Sequence, residues 1–345
     1  MPTRTIAVVG GTGRQGGSVV SALLSSTQFN VRVISSNPSG EKAVALDAKY
    51  AKEVQDGRLE IVQGNLNDVE SLKRAFEGVA GVFASFGGEL PEPGEEEYIE
   101  LVHGRNLVEA LKAIDVEHFV YSSLPSIARL SKGEITNVLP FESKAANEAL
   151  ARKELRNVTT VVPGSFFSDL ELAVWCIRMQ DGTVNFCIPL SGDTIMGWVD
   201  EAYDVGVFAA AIFEKGPAVT GGKQYPVNSE RVTSNEMAAT YTRVTGEPAV
   251  RDPLLMSSFR KSLALSGEQA VEAMVSMLRY METVPEDSHL AYGPGSVSAD
   301  TVEQDLGVRA STFEEYLERS DFRALPPSTA RVAAPLSDEC PVAPH

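Results

Sequence analysis

The segment "IAVVGGTGRQGGSVVSALL" limits this chain's fold more than any other stretch. Ile6 to Val9 is a continuous apolar run with two valines, the pattern of a strand buried on both faces. From Ser18 onward Val19, Val20, Leu23 and Leu24 recur at helical spacing. Between the two lie Gly10, Gly11, Gly13 and Gly16. A strand that turns through glycines straight into a helix points the helix's first N–H groups, and its positive end, at an anion. Gly10 permits the tight turn, Gly13 lets backbone approach the ligand, and Gly16 lets the helix pack on the strand. The turn lacks a Gly-Lys-Ser/Thr ending, which excludes a nucleoside-triphosphate loop. A strand before it, a helix after it and the strand "VRVIS" beyond are the context of a dinucleotide turn. Thr12, Arg14 and Gln15 complete its candidate contacts.

Strand and helix patterns alternate through the first half. Strands "IAVV", "VRVIS", "LEIVQG", "GVFASFG", "HFVYSSL" and "VTTVVPGSFF" are separated by helices near 15–26, 40–55, 69–78, 95–114 and 142–156. That rhythm predicts a doubly wound parallel α/β sheet, a Rossmann fold, with ligands at the carboxyl ends of the strands. Beyond residue 165 the rhythm breaks. Short strand-like pieces ("TVNFCI", "QYPVNS") mix with helices near 200–214, 234–245, 256–263 and 267–281. We therefore expect a dinucleotide-binding domain over 1–165. A smaller mixed α/β substrate-side region is expected over 166–324, with some segments returning to the sheet. The proline-rich residues 325–345 are expected to form a disordered or surface-strap tail.

With 43% hydrophobic and 22% charged residues among 345, the chain is globular. A formal net charge of −17 argues against nucleic acid or anionic membrane as a main partner. Cys176, Cys187 and Cys340 are an odd set without metal spacing, and the four histidines stand singly, so no metal site is expected. No apolar run reaches about 18 residues, and "MPTRT" enters a strand at once. The expectation is a cytoplasmic protein, nuclear as well if it is a regulator.

Several segments together resemble the NmrA-like family of atypical short-chain dehydrogenase/reductases. "GGTGRQGGSVVSALL" resembles its glycine loop, with the Arg-Gln pair more specific than the glycines, and "VRVISSNPSGEKA" resembles its second strand. "IVQGNLNDVESLKRAFEGVAGVFA", "GRNLVEALKAIDVEHFVYSSL", "GWVDEAYDVG" and "RVTSNEMAATYTRVTGEPA" fit the same pattern, over roughly residues 4–320. The resemblance implies an NAD(P)-binding Rossmann domain with a small variable domain. It leaves function open, because the family holds both redox-sensing regulators and biosynthetic enzymes.

A dinucleotide site chooses its cofactor at the end of the second strand. Here that end reads Ser35-Ser36-Asn37-Pro38, with no acid to bind a ribose 2′-hydroxyl. Ser36 stands where the family usually has Arg. Arg14 can swing over the adenosine to supply the missing charge, and Lys42 is near, so NADP(H) is favoured over NAD(H). Further candidate contacts are Asn65 and Leu66 at the third strand end and Ser85 and Phe86 at the fourth. Pro163, Gly164, Ser165 and Phe166 end the sixth, beside the nicotinamide.

The superfamily's reductases place a Tyr four residues before a Lys on one helix face. Here Lys144 is present, Ser122 or Ser123 holds the serine position, and Pro140 stands where the Tyr belongs. We take Lys144 and Ser123 as the catalytic candidates, with Lys144 also a cofactor ligand. Replacement acids lie among the glutamates from Glu89 to Glu100, on a jointed loop suited to a lid, together with Tyr98 and His103. Most of those glutamates are expected in solvent. The expected pocket is floored by Ser123 and Lys144, walled by Phe166 and Phe167, and roofed by residues 87–100. Trp175 and Trp198 serve as core or as pocket wall. Two functions compete. One is an NADP(H)-dependent tailoring enzyme acting on a small organic substrate, by imine, iminium or carbonyl reduction or by a non-redox cyclisation. The other is a non-catalytic NAD(P)-sensing regulator that binds a transcription factor or another protein. Oligomeric state is open.

Overall fold

The computed structural model describes residues 3–88, 97–229, 231–283 and 295–325. Its first half runs β1 (Arg4–Val9), α1 (Arg14–Ser25), β2 (Phe29–Ser35), α2 (Glu41–Lys49), α3 (Ala51–Gln55), β3 (Leu59–Gln63), α4 (Val69–Ala75) and β4 (Gly81–Ala84). Next come α5 (Ile99–Ala113), β5 (His118–Ser122), α6 (Ile127–Leu130), α7 (Leu139–Glu154) and β6 (Val158–Pro163). The helix expected over 40–55 is two, broken where Tyr50 leaves helical backbone (ψ 33°). Helix α7 starts at Leu139, earlier than expected, because Pro140 fits the first turn, where no N–H is needed.

The second half begins with β7 (Ser165–Phe166), a 3₁₀ turn (Phe167–Glu171), β8 (Cys176–Arg178), β9 (Val184–Phe186), β10 (Trp198–Val199) and α8 (Asp204–Lys215). It continues with α9 (Pro217–Thr220), β11 (Gln224–Val227), α10 (Ser234–Thr245), β12 (Ala249–Val250), α11 (Met256–Ser262) and α12 (Glu268–Thr283). Two short helices, α13 (Ala299–Leu306) and α14 (Phe313–Ser320), come last.

The central sheet has the order β11-β6-β5-β4-β1-β2-β3, and every pairing in it is parallel. Alternate residues of β1 feed opposite layers. Ile6 and Val8 join Val19, Val20 and Leu23 of α1 and Phe208 of α8, while Ala7 and Val9 join Leu72, Leu107 and Leu111. The seventh strand is the "QYPV" piece from the second half, in register with Thr160–Pro163. Its Pro226 is tolerated because β11 is an edge strand. Residues 166–324 thus rejoin the sheet at several places: β11 extends it, α8 packs on α1, and α13 packs on α8.

A separate core gathers Phe167, Trp175, Phe186, Trp198, Tyr241, Phe259, Phe313 and Tyr316. It lies with the small sheet β12-β9-β8. Phe167 stacks on Trp198 (centroids 5.9 Å apart, planes 4° from parallel). The loop between β10 and α8 is latched to the C-terminal helix. Arg319 pairs with Asp200, and Ser311 donates through its N–H (3.0 Å) and Oγ (2.7 Å) to Asp204 Oδ1.

Candidate active site

The glycine turn forms a tight cradle. Gly10 has φ +78°, and a Cβ there would sit 2.1 Å from the Ser85 carbonyl at the end of β4. A Cβ on Gly16 would sit 2.1 Å from the Gly10 carbonyl. β1 and β4 are the neighbours at which the strand order reverses, so the crevice between their ends is the switch point. Helix α1 is N-capped by Gly13, with no side-chain cap and no acid in its first turn. An anion therefore meets N–H groups and the helix dipole there without a competing carboxylate. Gln15 is fixed by Ser122 Oγ, which donates to its Oε1 (2.7 Å).

At the end of β2, Ser36 and Asn37 are exposed. Ser35 Oγ accepts from the Asn37 N–H (3.1 Å), and Gln63 Nε2 donates to the Ser36 carbonyl (2.8 Å). Asn65 turns its Oδ1 onto the Asn67 N–H (2.9 Å), and the Leu66 carbonyl accepts from Asn106 Nδ2 (2.8 Å). The uncapped helix, the sterically closed cradle and the acid-free β2 end fit a dinucleotide whose pyrophosphate rests on Gly13–Gly16. Arg14 departs from expectation. Its guanidinium donates to Ser168 Oγ and pairs with Glu201 (3.3 Å), beyond β6, rather than covering the β2 end. The physical cause is Glu201, only 1% exposed, which captures the nearest cation.

Lys144 lies in the second turn of α7, and its Nζ donates to the Phe86 carbonyl (2.7 Å) and to Glu100 Oε1 (2.7 Å). Glu100, last of the loop glutamates of which most were expected in solvent, is 1% exposed. Ser123 is equally buried, with its hydroxyl directed at the carbonyls of Leu124 (3.4 Å) and Lys144 (3.5 Å). His103 Nε2 lies 3.2 Å from Asn67 Oδ1, its ring edge-on to Phe86, and burial lowers its pKa. Tyr98 donates to the Gly88 carbonyl (2.9 Å). Residues 89–96, most of the expected lid, lie outside the described residues.

The described residues enclose a cavity of about 250 Å³ beside the end of β6. Pro163, Gly164, Ser165 and Phe166, the expected nicotinamide contacts, are in its wall, and so are both tryptophans. Ser123, Lys144 and Phe167 are not; Phe167 is fully buried in the aromatic core instead. Helix α12 also lines it, through Ala270, Met274, Met277 and Met281. Among the described lining residues one is acidic, Asp169, and one is cationic, Arg231, which donates to the Ile195 carbonyl (3.2 Å).

Sequence reasoning missed Asp169. The available signal was an acidic pair, Asp169 and Glu171, in the otherwise apolar stretch "VVPGSFFSDLELAVWCI", with Asp169 three residues past Phe166. Burial pushes its carboxyl up to about 7; the neighbouring Glu201 charge adds to the rise, and Arg14 and a backbone hydrogen bond at Phe166 oppose it. Glu201 is itself raised by burial, against the opposing effects of Ser168 and Arg14. Its Oε2 is buried without a hydrogen-bond partner.

The model of the NmrA-like family matches residues 2–318. An NmrA-like family domain-containing oxidoreductase of Aspergillus hancockii is 35% identical over 265 residues, 73% of this chain and 76% of that protein. One of Malbranchea aurantiaca is 30% identical over 261 residues, 71% of this chain and 74% of that protein. The nitrogen metabolite repression protein of Emericella nidulans is 26% identical over 247 residues, 70% of this chain and 65% of that protein. Among solved structures, the negative transcriptional regulator NmrA in complex with NADP superposes with a TM-score of 0.68 at 23% identity. It covers 92% of this chain and 94% of that one, a likeness of fold.

Proposed function

The chain belongs to the NmrA-like family, and from that premise we propose that it is an NADP(H)-dependent tailoring reductase of a small, largely apolar organic substrate. The observation that carries this reading is the cavity. It shares the β6-end wall, Pro163 to Phe166, with the expected nicotinamide site, and it is lined mainly by aromatic, aliphatic and methionine side chains. A nicotinamide, when bound, supplies a hydride. The chain's own part is to seat the pyrophosphate on Gly13–Gly16, keep acids away from the β2 end, and hold an apolar molecule out of water against Phe166. Lys144 acts in this reading as a positioning residue, fixing the Phe86 carbonyl at the end of β4.

The test is turnover. NADPH absorbance and product mass are monitored with aldehydes, ketones and cyclic imines; we expect imine turnover and slow or absent ketone turnover, because no tyrosine acid stands at position 140. Calorimetric titration is expected to give NADPH binding several-fold tighter than NADH, and equal or reversed affinity overturns the cofactor preference. One observation favours the second reading, a cofactor-sensing regulator: Pro140 in place of the acid. Tight cofactor binding, no turnover of any substrate class and a defined protein partner would establish it.

A further inference from the structure

We infer that Asp169 is the proton-exchanging group of the cavity, and that the cavity's substrate is an apolar, aryl-bearing molecule with one basic nitrogen of the imine class. The inference rests on the reductase reading only for the hydride step, which comes after the proton transfer.

A pocket lined by Phe166, Trp175, Phe259, Met274 and Met277 selects an apolar body, and methionines adapt to its outline. Orientation must then come from a few polar groups. Arg231 lends an N–H to the Ile195 carbonyl, whereas Asp169 is the lining residue able to give up or accept a proton near neutrality. Its surroundings keep it so. Glu201, itself buried, faces it from the loop before α8, and Glu171 faces it from its own 3₁₀ turn; both raise its proton affinity. Arg14, on the first turn of α1 and paired with Glu201, lowers it. The balance leaves Asp169 poised near 7, with both forms present at neutral pH.

No carboxyl protonates a ketone oxygen ahead of the hydride, because a protonated ketone is a far stronger acid than any carboxyl. A carboxyl so poised matches an imine nitrogen, whose conjugate acid also lies near neutrality, and matched acids exchange protons best. In the step itself the carboxyl O–H bond breaks and its electron pair stays on Asp169. The N–H bond of an iminium forms from the imine lone pair, and a carboxylate–iminium pair remains. No oxidant or reductant takes part, and Asp169 recovers its proton from solvent after release. The iminium carbon is the better acceptor for the hydride of the reductase reading.

The experiment needs no turnover. The full-length protein is titrated with 2-(2-naphthyl)-1-pyrroline, a cyclic aryl imine whose absorbance moves to longer wavelength on protonation, and with its carbon analogue 1-(2-naphthyl)cyclopentene. We expect the bound imine to show the iminium band. In the wild-type protein that band should persist to at least about one pH unit above the free probe's midpoint, a tenfold gain in proton affinity. Asp169→Asn should lose the band while binding the cyclopentene within about threefold of wild type, which also reports that the variant is folded. An imine bound neutral by the wild type, an unshifted midpoint, an iminium band retained in Asp169→Asn, or failure of the wild type to bind either probe overturns the inference. The two readings fail separately. Imine turnover with a neutral bound probe removes the proton role and leaves the reductase; an iminium band without turnover of any substrate keeps the proton role and removes the reductase.

Discussion

Lys144 sits against a carboxylate that solvent barely reaches. With Glu100 at 1% and the lysine side chain at 17% exposure, their 2.7 Å pair is cut off from most screening. Removing one partner of such a pair strands the other charge, which costs more than removing both. Lys144→Ala is therefore expected to lower unfolding stability by about 3 kcal/mol at neutral pH. Adding Glu100→Gln to that variant should restore most of the loss. Urea denaturation of the two variants checks this. A lysine that served cofactor or substrate alone would leave stability unchanged in the single variant, so the double variant separates scaffold from chemistry. Asp169 presents the opposite case: its main influence is burial in the cavity wall, which favours the protonated form.

Helices α1 and α8 cross at one point of backbone contact. A Cβ on Gly206 would lie 2.2 Å from the Ser18 carbonyl, and nothing flexible is there to yield. Gly206→Ala must push the helices apart, at an expected cost of about 2 kcal/mol, and should weaken NADPH binding because the first turn of α1 moves with its axis. Thermal melting with and without NADPH reads both effects. The same helix shows what is legible in a sequence. The β1–α1 turn could be read because its determinants, Gly10 to Gly16, are neighbours along the chain. The place of "QYPV" in the sheet could not, because Pro226 argues against a strand until its edge position is known. Nor could the Glu100–Lys144 pair be read, its members 44 positions apart, or the capture of Arg14 by Glu201, 187 positions away. Local chemistry set the cradle, and long-range packing chose which carboxylates were buried.

Across the whole molecule, the C-terminal part is bound to distant segments. Arg178 Nε donates to the Ala324 carbonyl (3.0 Å), the Arg178 N–H donates to the Leu325 carbonyl (3.0 Å), and Phe322 packs into the aromatic core. The tail expected from Leu325 onward falls, past that residue, outside the described residues. Ending the chain after Leu325 is expected to leave the melting temperature within a few degrees. Ending it after Ser320 removes Phe322, worth about 3 kcal/mol as a buried aromatic, and should lower the melting temperature by roughly 6 °C or more. Calorimetry of the two truncations decides between a packed end at 325 and an earlier one.

The sheet's last strand has a consequence for synthesis on the ribosome. β6 ends at Pro163, yet the strand that covers its outer edge begins only at Gln224. At about 5–20 residues per second, a nascent chain carries that bare edge for several seconds, long enough to meet another nascent chain on the same message. An uncovered parallel edge is a template for pairing with the wrong partner. Slowing translation while β6 has emerged from the ribosome and β11 has not should therefore raise the insoluble fraction, whereas slowing it once β11 has emerged should not.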